Sequence, residues 1–217
     1  MSASLLSYLQ GFITEERMER IEAIMSLRTN HFTIAIEDVF QFHNTSAVIR
    51  SCDVFGVQHA HVIEERFGKR LDKNIAMGAQ KWVDVHRYDT TSTCISMLKE
   101  QGYRIAATSP HGDSIELADL DIETPTAFFF GTEKEGLSDE VLEMADVRIR
   151  IPMVGFTESL NISVSAAIIL QDVTQRLRRS SVAWKLSEKE KERIRLEWTK
   201  KSVRSIESVM KRFENRD

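Results

Sequence analysis

Apolar and polar positions change period several times along the chain, and each change predicts an element. In the first thirty residues, Met18, Ile21 and Met25 recur at three- and four-residue spacing behind Thr14, a pattern typical of a capped helix. From residue 32 onward, short apolar or alternating runs typical of strands come between stretches with helical spacing. The strand runs are 32–39, 58–63, 82–88, 104–109, 126–131 and 147–153. The helical stretches are 45–55, 90–101, 138–145 and 159–177.

Strands that alternate with helices predict an α/β domain with a mainly parallel sheet and helices on both faces. Beyond the sheet, residues 187–190 form a capping box that starts a further helix. The apolar stripe of that helix consists of Ile194, Trp198, Ile206, Met210 and Phe213. We therefore predict an N-terminal helical extension over 1–30, an α/β domain over 31–180 and a basic C-terminal helical extension over 181–217.

Length and composition limit the class of protein. With 217 residues, 42% of them apolar, the chain can bury a full core without a disulfide or a metal. It has no run of 18 apolar residues and no recognisable signal peptide, so we expect no membrane partner. Cys52 and Cys94 are the only cysteines, which favours reduced thiols in the cytoplasm. Neither they nor the six histidines have the spacing of a metal site, so we predict no metal.

Charge is distributed unevenly. The net charge is −4, yet residues 176–217 hold 14 Lys and Arg against 7 Asp and Glu, which leaves the rest of the chain strongly acidic. A basic tail on an acidic body indicates a polyanion partner such as RNA. Charge alone equally fits a solvated amphipathic helix, so the choice depends on chemistry elsewhere in the chain.

Three polar segments follow predicted strands, the place where an open parallel sheet binds its ligands. The first, 42–50, puts Asn44 at a helix start and Arg50 six residues on, among apolar neighbours. Two interpretations are open for this segment. It is either an N-cap followed by an arginine whose head reaches water, or an arginine held near a helix start to grip an anion.

The second segment, 130–138, carries Gly131 and Gly136 on either side of the acidic Glu133. A P-loop needs a lysine directly after its second glycine, and Leu137 stands there, so the segment does not fit a nucleotide hydrolase. No GxGxxG follows any strand, which excludes the Rossmann fingerprint as well. The segment is either a tight turn or a loop suited to a ligand with hydroxyls and positive charge.

The third segment, 151–165, starts an otherwise apolar helix with several polar residues. These are Ser159, Asn161, Ser163 and Ser165. Capping explains one or two of them, and four after a loop with proline and glycine are more than capping requires. Free backbone N–H groups at such a helix start can also hold the carboxylate of a ligand.

Side by side, NTSAVIR (44–50), FGTEKEGL (130–137) and IPMVGFTESLNISVSAA (151–167) resemble the three motifs of the SpoU (TrmH-type) branch of the SPOUT methyltransferases in order and spacing. The likeness covers about residues 31–178. The first motif departs from the common wording only at Thr45-Ser46, where Val-Gly is frequent. The resemblance implies transfer of a methyl group from S-adenosylmethionine to a ribose 2′-hydroxyl of RNA.

The resemblance also implies a fold and an assembly. SPOUT proteins have a deep C-terminal trefoil knot, here about 127–178, that forms the cofactor pocket, and they act as homodimers with the active site between subunits. Carried over to this chain, the cofactor would lie against Thr108, Gly131, Ile151 and Leu160.

The catalytic set that the resemblance implies consists of Arg50, Asn44, Glu133, Ser159 and Asn161. An arginine is essentially always protonated. We therefore expect Arg50 to clamp a phosphate beside the target ribose and to stabilise the developing alkoxide, rather than to act as a base. The other four residues would orient Arg50, cofactor and ribose by hydrogen bonds.

The terminal extensions bear on the substrate. A short helical N-terminus and a basic C-terminus, without a separate RNA-binding domain, are similar in layout to family members that methylate guanosine 18 in the D-loop of tRNA. We therefore expect tRNA as the partner. Ribosomal RNA or another tRNA position, and a catalytically silent RNA-binding protein on the same scaffold, are the alternatives.

Overall fold

A computed structural model of the chain describes residues 2–38, 42–65, 78–109, 112–132 and 135–215. Its helices are α1 (Ser2–Gln10), α2 (Glu15–Met25), α3 (Phe42–Phe55), α4 (Thr91–Glu100), α5 (Asp139–Met144), α6 (Ile162–Arg179), α7 (Glu188–Ser202) and α8 (Ile206–Glu214). Its strands are β1 (Phe32–Glu37), β2 (His59–Ile63), β3 (Asp84–Tyr88), β4 (Arg104–Thr108), β5 (Ile115–Glu116), β6 (Thr126–Phe130) and β7 (Val147–Arg150). The chain forms two compact units, one from residues 29–184 and one from residues 1–28 together with 185–217.

The seven strands form one parallel sheet in the order β3-β2-β1-β6-β4-β7-β5. Strands β1 and β6 lie in its interior and are buried along their whole length. They pair from Phe32 opposite Thr126 to Ile36 opposite Phe130. Continuous apolar runs suit this position, because a strand covered on both faces has no side that needs polar residues. The predicted α/β class with a parallel sheet is confirmed.

Helices cover both faces of the sheet, as the sequence predicts. Side chains alternate along a strand, so Ile34 and Phe128 pack on one face with Ile169 of α6. Phe129 points to the other face and packs with Leu98 of α4. Fully burying a side chain of this size contributes about 1.5–3 kcal/mol. The strand ends are thereby held in fixed register, and the loops that follow them start from rigid points.

Two helix starts differ from the prediction, and both differences concern predicted site residues. Helix α3 begins at Phe42, three residues before the predicted start, so Asn44 lies within its first turn instead of capping it. Helix α6 begins at Ile162, because Asn161 supplies the N-cap and leaves Ser159 in the preceding loop. The two-residue strand β5 was not predicted, since so short a run has no readable period.

In the unit formed by the chain ends, the predicted caps are confirmed. The Thr14 side chain accepts from the amide of Arg17, and Ser187 forms the capping box with Glu190. The N-terminal helical stretch is divided into α1 and α2. Hydrophobic contacts from Leu9 to Val209 tie α1 to α8.

The apolar stripe of the C-terminal segment spans two helices and is confirmed in α7, whereas in α8 the buried residue is Val209 and the predicted Ile206, Met210 and Phe213 are half-buried. Ile194 and Trp198 of α7 are buried. The guanidinium carbon of Arg28 lies 5.2 Å from the centroid of the Trp198 ring, a cation–π distance. Ser205, with a φ of +52°, separates α7 from α8.

Candidate active site

A cavity of about 570 Å³ lies at the carboxyl ends of three neighbouring strands. Thr108 ends β4, Phe130 ends β6 and Ile151 directly follows β7, and all three line it. Since these strands are parallel and adjacent, their ends meet at the same edge of the sheet. The volume is within the range of pockets that bind nucleoside-sized ligands.

The second motif forms one wall of this cavity as a closed loop. The Thr132 amide donates to the Gly136 carbonyl at 2.9 Å, and the Gly136 amide returns a bond to the Thr132 carbonyl at 3.0 Å. Gly136 has a φ of +74°, a conformation that favours glycine. A Cβ added at Gly131 would lie 2.0 Å from the Gly136 carbonyl oxygen. The motif therefore needs its first glycine for close backbone approach and its second for backbone conformation.

The side chain of Thr108 is held in place at the end of β4 by a hydrogen bond. Its hydroxyl donates to the Phe129 carbonyl at 2.8 Å, which links the end of β4 to β6. The cavity wall here combines hydroxyls with the buried apolar side chains of Phe130, Leu137 and Ile149. A flat apolar ligand can pack against these side chains, and a few hydrogen bonds to the hydroxyls can orient the ligand.

Two arginines of β7 also line the cavity, and sequence reasoning missed them. Arg148 donates to the Leu142 carbonyl at 3.0 Å, and Arg150 donates to the Ser114 carbonyl at 2.7 Å. Arg150 also pairs with Glu116 at 3.3 Å. The signal was present, because two arginines two positions apart in a strand point to the same side. Their hydrogen bonds connect β7 to α5 and to the residues around β5, and their guanidinium groups bring positive charge to the cavity lining.

The third motif closes the cavity from the helix side. Ser159, Leu160 and Ile162 line it, and the Asn161 side chain between them accepts from the Ser163 amide at 2.8 Å. Asn161 is thus the N-cap of α6, which satisfies one of the free amides at the helix start. The partial positive charge of this helix start lies beside the cavity, where it favours a ligand's negative group.

The first and third motifs meet although 117 positions separate them. The Asn161 amide nitrogen donates to the Asn44 side-chain oxygen at 3.2 Å. Asn44 is buried in the first turn of α3, and α3 packs against α6. This hydrogen bond brings two residues of the predicted catalytic set together.

The remaining predicted residues have different positions. All four residues expected to hold the cofactor line the cavity: Thr108, Gly131, Ile151 and Leu160. Of the predicted catalytic set, Ser159 lines it as well. Arg50 lies on α3 and is exposed in the single chain, outside the lining that the described residues define. Glu133 lies outside the described residues.

Cys94 of α4 and His61 of β2 have strongly shifted pKa values but do not line this cavity. Burial raises the pKa of the Cys94 thiol to about 12, and the nearby charge of Glu37 adds to the effect. Burial lowers the pKa of His61 to about 3, and the neighbouring His86 and His59 lower it further. Cys94 therefore stays a thiol and His61 a neutral imidazole at neutral pH.

In the described part of the chain, no group of three or more His, Cys, Asp or Glu side chains is arranged to hold a metal ion. None of the described helices combines the length and apolar character needed to cross a bilayer.

Comparison with known proteins identifies relatives over most of the chain. A model of the SpoU rRNA methylase family matches residues 31–171. A tRNA (guanosine(18)-2′-O)-methyltransferase of Borreliella burgdorferi is 41% identical over 204 residues, covering 94% of each chain. The protein of the same name from Escherichia coli K12 is 35% identical over 165 residues, which cover 76% of this chain and 72% of that one.

Solved structures agree with this result. The TrmH/SpoU tRNA modifying enzyme of A. aeolicus superposes with a TM-score of 0.77 at 31% identity, over 88% of this chain and 98% of that chain. AviRb of Streptomyces viridochromogenes, a SpoU methyltransferase in complex with the cofactor AdoMet, gives a TM-score of 0.64 over 72% of this chain and 64% of its own. At 21% identity, this second likeness shows the fold alone.

The family match spans every strand of the sheet and all three motifs, and the alignment with the Borreliella burgdorferi relative extends beyond it at both ends. The resemblance inferred from the motifs is confirmed, and the chain belongs to the SpoU rRNA methylase family.

Proposed function

We propose that this protein transfers the methyl group of S-adenosylmethionine to the ribose 2′-hydroxyl of guanosine 18 in tRNA. Relatives named tRNA (guanosine(18)-2′-O)-methyltransferase align with as much as 94% of the chain, which supports the choice of substrate. The observation that carries the proposal is the hydrogen bond from Asn161 to Asn44 beside the cavity. It fixes the first motif, which carries Arg50, against the third motif, which closes the cavity.

The residues that line the cavity fit S-adenosylmethionine. Phe130, Leu137 and Ile149 offer an apolar surface for a base, and the hydroxyl of Thr108 and the loop backbone offer hydrogen bonds. The lining contains carboxylates for the ammonium and sulfonium groups and guanidiniums for the carboxylate. These charged residues are Glu135, Glu158, Arg148 and Arg150.

When bound, the cofactor supplies an activated methyl group on a positively charged sulfur. The residues of this chain then need to align the ribose oxygen with that methyl group and to manage the charge and proton of the hydroxyl. Arg50 has the charge and the fork of donors to hold a phosphate next to the ribose and to stabilise the developing alkoxide. Asn44 and Asn161 orient the helix starts on either side, and the proton leaves through the phosphate or water.

A homodimer completes this arrangement. In the single chain, Val154 and Phe156 of the third motif are fully exposed. Val164 and Ile168, which lie one turn apart on α6, are also exposed. Exposed apolar side chains next to a binding site indicate an interface. A second copy docked on this surface would cover them, and it can bring Arg50 to the active site of its partner.

The test is to incubate the purified protein with methyl-labelled S-adenosylmethionine and an unmodified tRNA transcript, and to map the label. The proposal expects one methyl group on the ribose of guanosine 18 and none on a transcript with adenosine at that position. Label on a base would overturn the reaction type. Label on another ribose, or on ribosomal RNA only, would change the substrate, and no label on any RNA would favour a silent binding protein.

A second test addresses Arg50. We expect Arg50→Ala to lower kcat at least a thousandfold while the Kd for S-adenosylmethionine stays within threefold, since Arg50 is assigned to the RNA side of the reaction. Arg87→Ala is the matched control, because Arg87 is another exposed arginine of the same unit and pairs with Glu64 at 3.0 Å. A large loss of cofactor affinity in Arg50→Ala, or equal loss of turnover in both variants, would contradict the assignment.

A further inference from the structure

A carboxylate outside the three motifs is buried next to the second one. Glu37 ends the interior strand β1 and is only 4% exposed. Its Oε1 accepts from the Thr91 hydroxyl at 2.8 Å and from the Ser138 hydroxyl at 2.6 Å. Its Oε2 accepts from the Ser138 backbone amide at 2.8 Å. Burial of a carboxylate is costly unless donors surround it, so the three donors explain how Glu37 is tolerated there.

The partners of Glu37 show what it connects. Ser138 is the N-cap of α5, and its hydroxyl oxygen accepts from the Val141 amide at 3.3 Å. It directly follows Leu137, the last residue of the loop that lines the cavity. Two of the three hydrogen bonds thus join the end of β1 to the end of this loop, across 101 positions of sequence. The third joins β1 to the start of α4.

The loop has hydrogen bonds of its own, but they serve a different purpose. The pair between Thr132 and Gly136 closes the loop on itself, and the Glu135 amide donates to the Thr132 hydroxyl at 2.9 Å. These bonds join Glu135 and Gly136 to Thr132, close to the end of β6, and none of them reaches β1. At its first end the loop continues β6, which the sheet holds. At its second end, Leu137 packs in the core with sheet residues such as Phe129, and the carboxylate of Glu37 supplies the hydrogen bonds to β1.

We propose that Glu37 is a positioning residue for cofactor binding: it holds the second-motif loop against the end of β1 and so keeps the cavity wall in the geometry that binds S-adenosylmethionine. This inference rests on the proposed function for the identity of the ligand. Glu37 does not line the cavity of about 570 Å³ and acts through Ser138. Its effect should therefore fall on cofactor affinity rather than on kcat at saturating cofactor.

Substitution by glutamine tests this role with little change in volume. Glu37→Gln has one acceptor oxygen in place of two, so its amide nitrogen must face either the Ser138 amide or the two hydroxyls. In the first case two donors face each other, and in the second the hydroxyls must accept instead of donate. In either case the hydrogen bonding that fixes the end of the loop at Ser138 is weakened. Glu65→Gln is the matched control, since Glu65 accepts from the Thr91 amide at 2.9 Å but is exposed and does not reach Ser138.

The measurements are cofactor affinity by titration calorimetry, KM for tRNA, and hydrogen exchange of the Ser138 amide without ligand. For Glu37→Gln we expect a Kd for S-adenosylmethionine raised at least tenfold, a KM for tRNA within twofold and exchange at Ser138 at least tenfold faster. Glu65→Gln should change each value less than twofold. Unchanged affinity in folded Glu37→Gln, or an equal loss in both variants, would overturn the proposal.

A second pair of variants decides the matter if Glu37→Gln does not fold. Ser138→Ala and Thr91→Val each remove one hydroxyl that donates to the same oxygen of Glu37, but only Ser138 directly follows the loop. Positioning predicts a fivefold or greater rise of the cofactor Kd in Ser138→Ala and less than twofold in Thr91→Val. Equal effects would mean that the network only stabilises the fold. Failure of the wild-type protein to bind S-adenosylmethionine would instead refute the proposed function, while slow exchange at Ser138 in Glu37→Gln would refute the anchor itself.

Discussion

Gly131→Ala is the sharpest test of the cavity wall, because the structure specifies the collision. The added Cβ would lie 2.0 Å from the carbonyl oxygen and 2.2 Å from the carbonyl carbon of Gly136, and 2.4 Å from the Leu137 nitrogen. All three are backbone atoms, so no side chain can rotate away. Since non-bonded atoms need roughly 3.5 Å, the loop must open by more than about 1 Å.

The energetic consequence follows from the bonds that this opening breaks. The two backbone hydrogen bonds between Thr132 and Gly136 are 2.9 and 3.0 Å long and would both be lost. At about 0.5–1.5 kcal/mol each, the free energy of unfolding should fall by about 1–3 kcal/mol. The displaced wall should weaken S-adenosylmethionine binding by roughly ten- to a hundredfold, the equivalent of about 1.4–2.8 kcal/mol.

The assay is urea unfolding together with calorimetric titration of the cofactor. Gly155→Ala serves as the stability control, because a Cβ at that third-motif glycine would meet no atom nearer than the Thr157 nitrogen at 3.9 Å. We expect its unfolding free energy to stay within about 0.5 kcal/mol of the wild type. Gly131→Ala with wild-type stability and affinity would show that the loop adapts freely, and the close approach would then not explain the glycine.

Three further predictions concern the helix start, the buried imidazole and the basic tail. Asn161→Ala removes the N-cap of α6 and the bond to Asn44, so urea unfolding should show a loss of about 1–2 kcal/mol; no loss would contradict the cap. The pKa of His61 is lowered from 6.5 to about 3, so between these pH values the unfolded chain binds a proton that the folded chain does not. The free energy of unfolding should therefore fall by about 1.4 kcal/mol per pH unit as the pH drops from 6.5 towards 3. His61→Gln should flatten this slope in urea titrations, and an unchanged slope would refute the prediction. Reversing the exposed Lys189 and Lys201 to glutamate should raise the KM for tRNA and weaken its dependence on salt, whereas identical salt slopes would assign the tail to packing alone.

Hydrophobic periodicity and local caps were sufficient to predict most elements of the α/β unit. Ser138 and Ser187 start helices as their sequences indicate, because a cap is a contact between residues only three positions apart. The second and third motifs also located the cavity wall, since each directly follows a strand and parallel strands end at one edge. The predicted helix starts were less accurate. Asn44 has a good capping side chain, but α3 begins two residues before it, at Phe42.

The sequence by itself determined the class of fold, the family and the segments that form the site. The trefoil knot over about 127–178 and the roles of Arg50 and Glu133 stay predictions. Tertiary structure decided which distant groups meet: Asn161 with Asn44, and Glu37 with Ser138. These contacts span more than a hundred positions and depend on the order of strands in the sheet, which no local pattern of apolar and polar residues encodes.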